Sequence, residues 1–214
     1  VVVGVRYSGA NATDGYVAGN YFDQILGFPG ASEGYGVHTD SLRQQIVNNS
    51  FRSIERHAVY LSGANTGAAG HCVVANNIIN GMGHSHAIQA YDPAVVASAK
   101  TIQNCVIAFN VISNVSDAAG ILLQDNITDT IIIGNRISDL SGTNAAGIII
   151  KNSAASPDTI QRCLRTLVTN NHVTNSFAGS DCVTVLNTDD TVIQGNILVG
   201  NSTGRGIYCP SWKP

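Results

Sequence analysis

Six histidines, seven tyrosines and fourteen carboxylates carry the titratable chemistry of this chain, and some of them recur at fixed offsets from β-branched residues. His38, Tyr60 and Gln89 directly follow Val37, Val59 and Ile88, and Arg6 follows Val5 in the same way. His57 and His86 stand two residues before Val59 and Ile88, and Asp40 two residues after His38. Tyr91 and Asp92 come just beyond Gln89, and Asp125 just beyond Leu122. Imidazole, phenol, guanidinium and amide together can perform β-elimination on a uronic acid. A base removes the C5 proton, an acid protonates the departing oxygen, and a cation or amide neutralises the carboxylate. His38 or His86 fits the base, Tyr60 the acid, and Arg6 or Gln89 the neutraliser. His57, Tyr91, Asp92 and Asp125 would add substrate contacts. Hydrolysis instead needs two carboxylates, about 5 Å apart for retention or about 6.5–9.5 Å for inversion. Asp40, Asp92, Asp125 and Glu33 are the acids at hand, with Asp40 the carboxylate nearest His38 in sequence. The supply of histidine favours elimination.

These residues act together only if the backbone repeats, and it does. An asparagine stands three residues after a β-branched residue and two before a large apolar one in Val17-Asn20-Phe22, Ile46-Asn49-Phe51 and Val74-Asn77-Ile79. The pattern continues in Ile107-Asn110-Ile112, Ile132-Asn135-Ile137, Val168-Asn171-Val173 and Ile193-Asn196-Leu198. Successive asparagines are 29, 28, 33, 25, 36 and 25 residues apart, so the variation belongs to loops. Short strands repeated at this period predict a solenoid. A β-rich run precedes each asparagine, a second strand follows it, and a third, often opened by glycine, alternates apolar with variable residues. Asparagine tolerates the left-handed backbone of a tight corner, and its amide can pair with its counterpart one rung away. A helical repeat fails, because the apolar period is two and glycine recurs in every unit.

The outward residue of the glycine-opened strand is then Arg6, His38, Tyr60, Gln89, Leu122, Ile149, Thr184 and Tyr208, rung by rung. Its early part, with His57 and His86 alongside, would form a patch about 15 Å long, the length of a few sugar units. Cys72 and Cys105 both fall five residues before their asparagine and are expected as small core residues on adjacent rungs. The residue just before the inward position of the strand preceding each asparagine is apolar in most units: Tyr16, Val73, Val106, Ile131, Leu167 and Val192. That column is either an exposed stripe, suited to a covering loop or partner subunit, or a local bulge turned inward.

At 214 residues the repeat argues for one domain spanning 1–214, which reads as a fragment of a longer chain. Hydrophobic residues make up 44% and charged residues 12%, leaving a surface built of Asn, Ser, Thr and Gly. A net charge of −3 gives no case for nucleic acid, and no apolar run reaches the ~20 residues of a membrane span. The five cysteines form no CxxC pair, and no metal or cofactor is implied.

The repeated triplets resemble the right-handed parallel β-helix of the pectate-lyase-like superfamily, from Val1 to about Cys209. That resemblance implies an all-β fold with three short strands per rung, about seven rungs and an asparagine ladder. It implies a polysaccharide lying along the glycine-opened strand, which in that family is the first strand of the rung. The superfamily includes polyuronate lyases, polygalacturonases, epimerases and phage tailspikes, so the fold leaves the activity open. Tyr91-Asp92-Pro93 is similar to the Asp-Pro-His stretch of alginate epimerases, but Ala94 replaces the histidine. The paired aspartates and Arg-x-Lys of polygalacturonases are absent, as is an acidic calcium cluster. The expectation is a tailspike-like depolymerase domain that binds and cleaves capsular, O-antigen or polyuronate chains, extracellular or on a virion, and homotrimeric. The alternatives are a secreted bacterial polyuronate lyase or epimerase, and a non-catalytic shaft or adhesin.

Overall fold

The computed structural model describes residues 3–9, 12–27, 34–63, 69–83, 85–92, 102–142, 145–152, 163–175, 179–200 and 203–210. Glu33, His84, Pro93 and Ala94 lie outside the described residues. The chain coils through three parallel sheets of eight, seven and eight strands, in which each strand pairs with its equivalent one turn away. The first sheet runs from Val3–Tyr7 through Tyr35–Thr39, Val59–Ser62, Ile88–Tyr91, Ala119–Gln124, Ala146–Lys151 and Asp181–Leu186 to Ile207–Tyr208. The seven strands of the second sheet mark seven turns, numbered here from Val3 onward. Among the described residues there are only strands, turns and loops, so no helix is long and apolar enough to cross a membrane. The fold is that of the parallel β-helices.

Alternation dictates the core. Inward residues stack in three columns: Val37, Val59, Ile88, Ile121 and Ile148; Ile46, Val74, Ile107, Ile132 and Val168; Phe51, Ile79, Ile112, Ile137 and Val173. All are fully buried. Phe22 and Phe51 stack at 4.8 Å between ring centres, nearly parallel. Cys72 and Cys105 sit on adjacent turns in the core as free thiols, as their spacing predicts.

The asparagines form the ladder. Each amide nitrogen from Asn20 to Asn171 donates to the amide oxygen of the next asparagine at 2.9–3.1 Å. Each backbone N–H donates to the same oxygen. The left-handed residue of the corner is not the ladder asparagine but the one before it: Gly19, Asn48, Asn76, Phe109, Gly134, Asn170 or Gly195. The ladder residue must aim its amide along the axis, so its predecessor takes the turn.

Two features depart from a simple alternation. The outer column Tyr16, Val73, Val106, Ile131, Leu167 and Val192 faces outward, with Tyr16, Ile131 and Val192 exposed, so the inward bulge is excluded there. The first sheet does carry a double inward step. The position before each inward residue is small (Gly36, Ala58, Ala87, Gly120, Gly147) and also turns in. A methyl group on Gly36 would meet the Phe51 ring at 2.7 Å and the Ala58 carbonyl oxygen at 2.7 Å. A short extra ladder, Ile102–Gln103 beside Ile127–Thr128, continues through isolated bridges at Leu164 and Asp189, and the sequence pattern gave no sign of it.

Candidate functional site

The double inward step sets the geometry of the outer face. With two consecutive residues turned inward, the residues on either side of them emerge on the same surface. Tyr35 therefore lies beside His38, His57 beside Tyr60, and His86 beside Gln89. The register makes Arg6, His38, Tyr60, Gln89, Leu122, Ile149, Thr184 and Tyr208 one continuous column, as expected. A second column runs alongside, with Val3, Tyr35, His57 and His86 on successive turns.

The rings of turns 2 to 4 pack into a shelf. Tyr35 stacks on Tyr60 at 5.3 Å and on His57 at 5.5 Å. His38 lies 5.0 Å from Tyr60 and 5.1 Å from Tyr35, and His57 stacks on His86 at 5.9 Å. The Arg56 guanidinium sits over the Tyr35 ring, 5.3 Å from its centre. Stacked rings of this kind add about 0.5–1.5 kcal/mol per pair beyond their burial, so the shelf is stiff.

Hydrogen bonds fix the tautomers. His57 donates from Nδ1 to the His86 carbonyl at 3.0 Å, and its Nε2 accepts from the Ser85 hydroxyl at 3.4 Å. His86 Nδ1 accepts the Ala119 N–H at 2.9 Å, which leaves its proton on Nε2. His38 Nε2 is enclosed with no hydrogen-bond partner. Burial is the main cause that lowers the three pKa values, to about 4 for His38, about 3 for His57 and about 4 for His86. The charge of Arg6 adds to the effect at His38, that of Asp40 opposes it and that of Arg56 adds a smaller part, while Lys151 adds to the effect at His86. Burial pushes the Tyr60 phenol up to about 12 and raises that of Tyr91. At neutral pH the shelf therefore holds three neutral imidazoles and the protonated Tyr60 phenol.

The acids stand elsewhere. Asp40 is buried, accepting from the Gly9 N–H at 2.9 Å and the Ser8 hydroxyl at 3.3 Å, so it ties turn 2 to the loop leaving turn 1. Asp92 and Asp125 are buried on consecutive turns just past the first-sheet strands, the place that Gly63 leaves open for Asp92. Gln89 is nearly buried, and Leu122, although on the outward column, is fully so. Tyr91, half-buried, continues beyond Gln89 on the same strand.

Three participants escaped the sequence reading. Tyr35 obeys the same offset from Val37 that His57 and His86 keep from Val59 and Ile88, so the signal was present. Arg56 and Lys151 carried no such signal, because cation placement depends on the corner and on side-chain reach. Beside the shelf, at the corner leading from the third sheet to the first, an open apolar cavity of about 320 Å³ is lined by Leu26, Ile54, Glu55, Met82 and neighbouring small residues. Among the described residues no three His, Cys, Asp or Glu side chains converge to hold a metal.

No protein-family model matches the sequence, and no curated protein matches it. Solved structures do match in fold. The Streptococcus pneumoniae surface protein and adhesin PfbA is 13% identical with a TM-score of 0.53, over 92% of this chain and 76% of that one. An alginate lyase from Paenibacillus is 14% identical with a TM-score of 0.49, over 97% and 78%. The tailspike gp49 of Acinetobacter baumannii bacteriophage Fri1, a capsular polysaccharide depolymerase, is 10% identical with a TM-score of 0.47, over 92% and 41%. The likeness to PfbA concerns the fold, and function has to be argued from the shelf.

Proposed function

We propose that the outer face of the first sheet binds a polysaccharide running along the helix axis and cleaves it by β-elimination. The observation that carries this is the column of histidine and tyrosine rings stacked on one another over turns 2 to 4. Aromatic faces suit the apolar sides of sugar rings, and groups ordered before binding lose little entropy on complex formation. In this reading His38 takes the C5 proton and Tyr60, held protonated, gives one to the departing O4 as the C4–O bond breaks and the C4–C5 double bond forms. His86 donates from Nε2, Gln89 and Arg6 face the carboxylate, and Tyr91 extends the contact. His57 has both nitrogens engaged and positions its neighbours, while Asp40, Asp92 and Asp125 shape the strand ends.

The setting that fits is a tailspike-like depolymerase acting outside the cell or on a virion. The apolar outer columns, with Tyr16, Ile131 and Val192 on the second sheet and Tyr21, Ile78 and Ile197 on the third, are the faces through which a homotrimer would associate. The second reading is a non-catalytic shaft or adhesin. It is favoured by the enclosure of His38 Nε2 and Leu122, which is what plain packing also produces.

Incubation with a panel of capsular polysaccharides and polyuronates separates these readings. Chain length is followed by gel filtration and unsaturated ends by ultraviolet absorbance. Shortening with new absorbance is expected. Shortening without it means hydrolysis, and no shortening of any polymer moves the assignment to the shaft or adhesin.

A further inference from the structure

We infer that Cys72 and Cys105 join in a disulfide between turns 3 and 4 when the chain folds in an oxidising medium. The inference does not depend on what the shelf binds. It follows from the column that carries the two thiols.

The residue just before each second-sheet strand is buried at the corner leading from the first sheet. Backbone hydrogen bonds from turn to turn put Gln44, Cys72, Cys105, Thr130 and Thr166 one above another there. The column closes its corner carbonyls. Gln44 and Thr130 donate to the carbonyl two residues back, at 2.8 and 3.3 Å, and the Cys72 and Cys105 thiols do the same toward Gly70 at 3.5 Å and Gln103 at 3.6 Å. The thiols also reach a carbonyl on the preceding turn, Ser41 at 3.6 Å and Ala69 at 3.4 Å. A thiol is a weak donor, so these contacts hold the sulfurs lightly.

With matching backbones and matching carbonyl partners, the two side chains point alike and their sulfurs meet along the axis. The hydrogen bond between them is the main cause that lowers the Cys72 pKa and raises that of Cys105. Paired strands lie about 4.8 Å apart, inside the roughly 4.4–6.8 Å that a disulfide spans between Cα atoms. The Cβ atoms must close to about 3.8 Å, so the stability of the linked form reports whether the turns accommodate the bond. The other cysteines have no such neighbour. Cys163 faces the Lys151 and Asp125 carbonyls, Cys182 faces that of Val173, and Cys209 is exposed.

The oxidant is a low-molecular-weight disulfide such as oxidised glutathione. One cysteine thiolate attacks a glutathione sulfur and releases the first glutathione thiol; the other cysteine then attacks the mixed disulfide and releases the second. The two cysteine protons end on the two glutathione thiols, and two electrons pass from the cysteines to the oxidant. The exchange belongs to folding, because both sulfurs are enclosed once the turns have docked, and the finished bond is shielded from reductants for the same reason. It fastens turn 3, which carries His57 and Tyr60, to turn 4, which carries His86 and Gln89.

The test refolds the full, reduced chain from denaturant, either in mixed reduced and oxidised glutathione or in dithiothreitol. After alkylation of free thiols, mass spectrometry of a digest locates any bond. The glutathione sample is expected to yield a peptide pair linking Cys72 to Cys105, with Cys163 and Cys182 alkylated. Its unfolding constant in chemical denaturation should be about 10²-fold smaller than that of the reduced chain. Cys72→Thr and Cys105→Thr, which introduce the residue type the column uses at Thr130 and Thr166, should each abolish that difference between the two samples. Absence of the linked peptide pair after oxidative refolding would overturn the inference. A linked form that is no more stable than the reduced one, or that refolds less completely, would overturn it as well, because the bond would then strain the turns.

Discussion

Tyr60 is the residue whose change isolates chemistry from packing. Tyr60→Phe keeps the ring against Tyr35, His38 and His57 and removes the hydroxyl with its bond to the Ser62 side chain, so turnover should fall about 10²-fold or more at a stability cost of only about 1 kcal/mol. His86→Ala is a poorer test, because the buried Ala119 N–H loses its acceptor at about 1–3 kcal/mol. The protonation states also predict the pH profile. His38 must be neutral to act as base, and its pKa lies near 4, so kcat/KM should fall only as pH drops through about 4. Tyr60 must be protonated, and its pKa lies near 12, so no alkaline fall is expected below pH 10. A narrow optimum around neutrality would remove His38 and Tyr60 from these roles. Away from the shelf, Phe109 is the one bulky side chain at φ 55° in a ladder corner where the other turns use Gly or Asn, and it is 57% exposed. Relief of that backbone conformation should make Phe109→Asn more stable by about 0.5–1 kcal/mol in chemical denaturation.

At the scale of elements, the asparagine ladder has no replacement in the core. Asn110 donates to the Val74 carbonyl and to Asn135, and accepts two bonds from Asn77, all inside the protein. Asn110→Ala strands several of these groups and should cost about 3 kcal/mol, against about 1 kcal/mol for Asn196→Ala at the exposed end of the ladder. Equal losses in denaturant titrations would mean that the ladder is decorative. This ladder, the three-strand turn and the outward column were legible because side chains alternate with period two and the local motif never slips. What escaped depends on departures from that period. Two inward residues in succession, Gly36-Val37 or Ala58-Val59, put Tyr35 on the same face as His38, and a strict alternation cannot show that. The left-handed corner residue was missed for a related reason. The ladder asparagine and its neighbour share the corner, and only the direction of the amide decides which takes positive φ. Leu122 shows the limit of the column itself, since outward in register is not the same as exposed.

For the whole molecule, stability is a sum over stacked turns, each touching only its neighbours. Central turns have a partner on both sides, and their inward residues Ile107, Ile112, Ile132 and Ile137 are fully buried. Toward the ends of the stack the equivalent residues, Val5 on one side and Val185, Ile193 and Leu198 on the other, are only partly buried. Opening an end turn therefore exposes less apolar surface than opening a central one, and it breaks one ladder of hydrogen bonds instead of two. Hydrogen exchange of the 214-residue chain should accordingly be graded. Amides of Val106–Ala108 and Ile131–Ile133 should exchange last, and those of Val3–Tyr7 and Val192–Gln194 sooner by orders of magnitude. The shelf occupies turns 2 to 4, between the partly buried strand Val3–Tyr7 and the fully buried centre, so a bound polymer that bridges Arg6 to His86 should slow exchange in Val3–Tyr7 most. A single exchange rate for all turns would mean that the stack opens only as a unit. The coupling between ligand grip and the first turn would then have no physical basis.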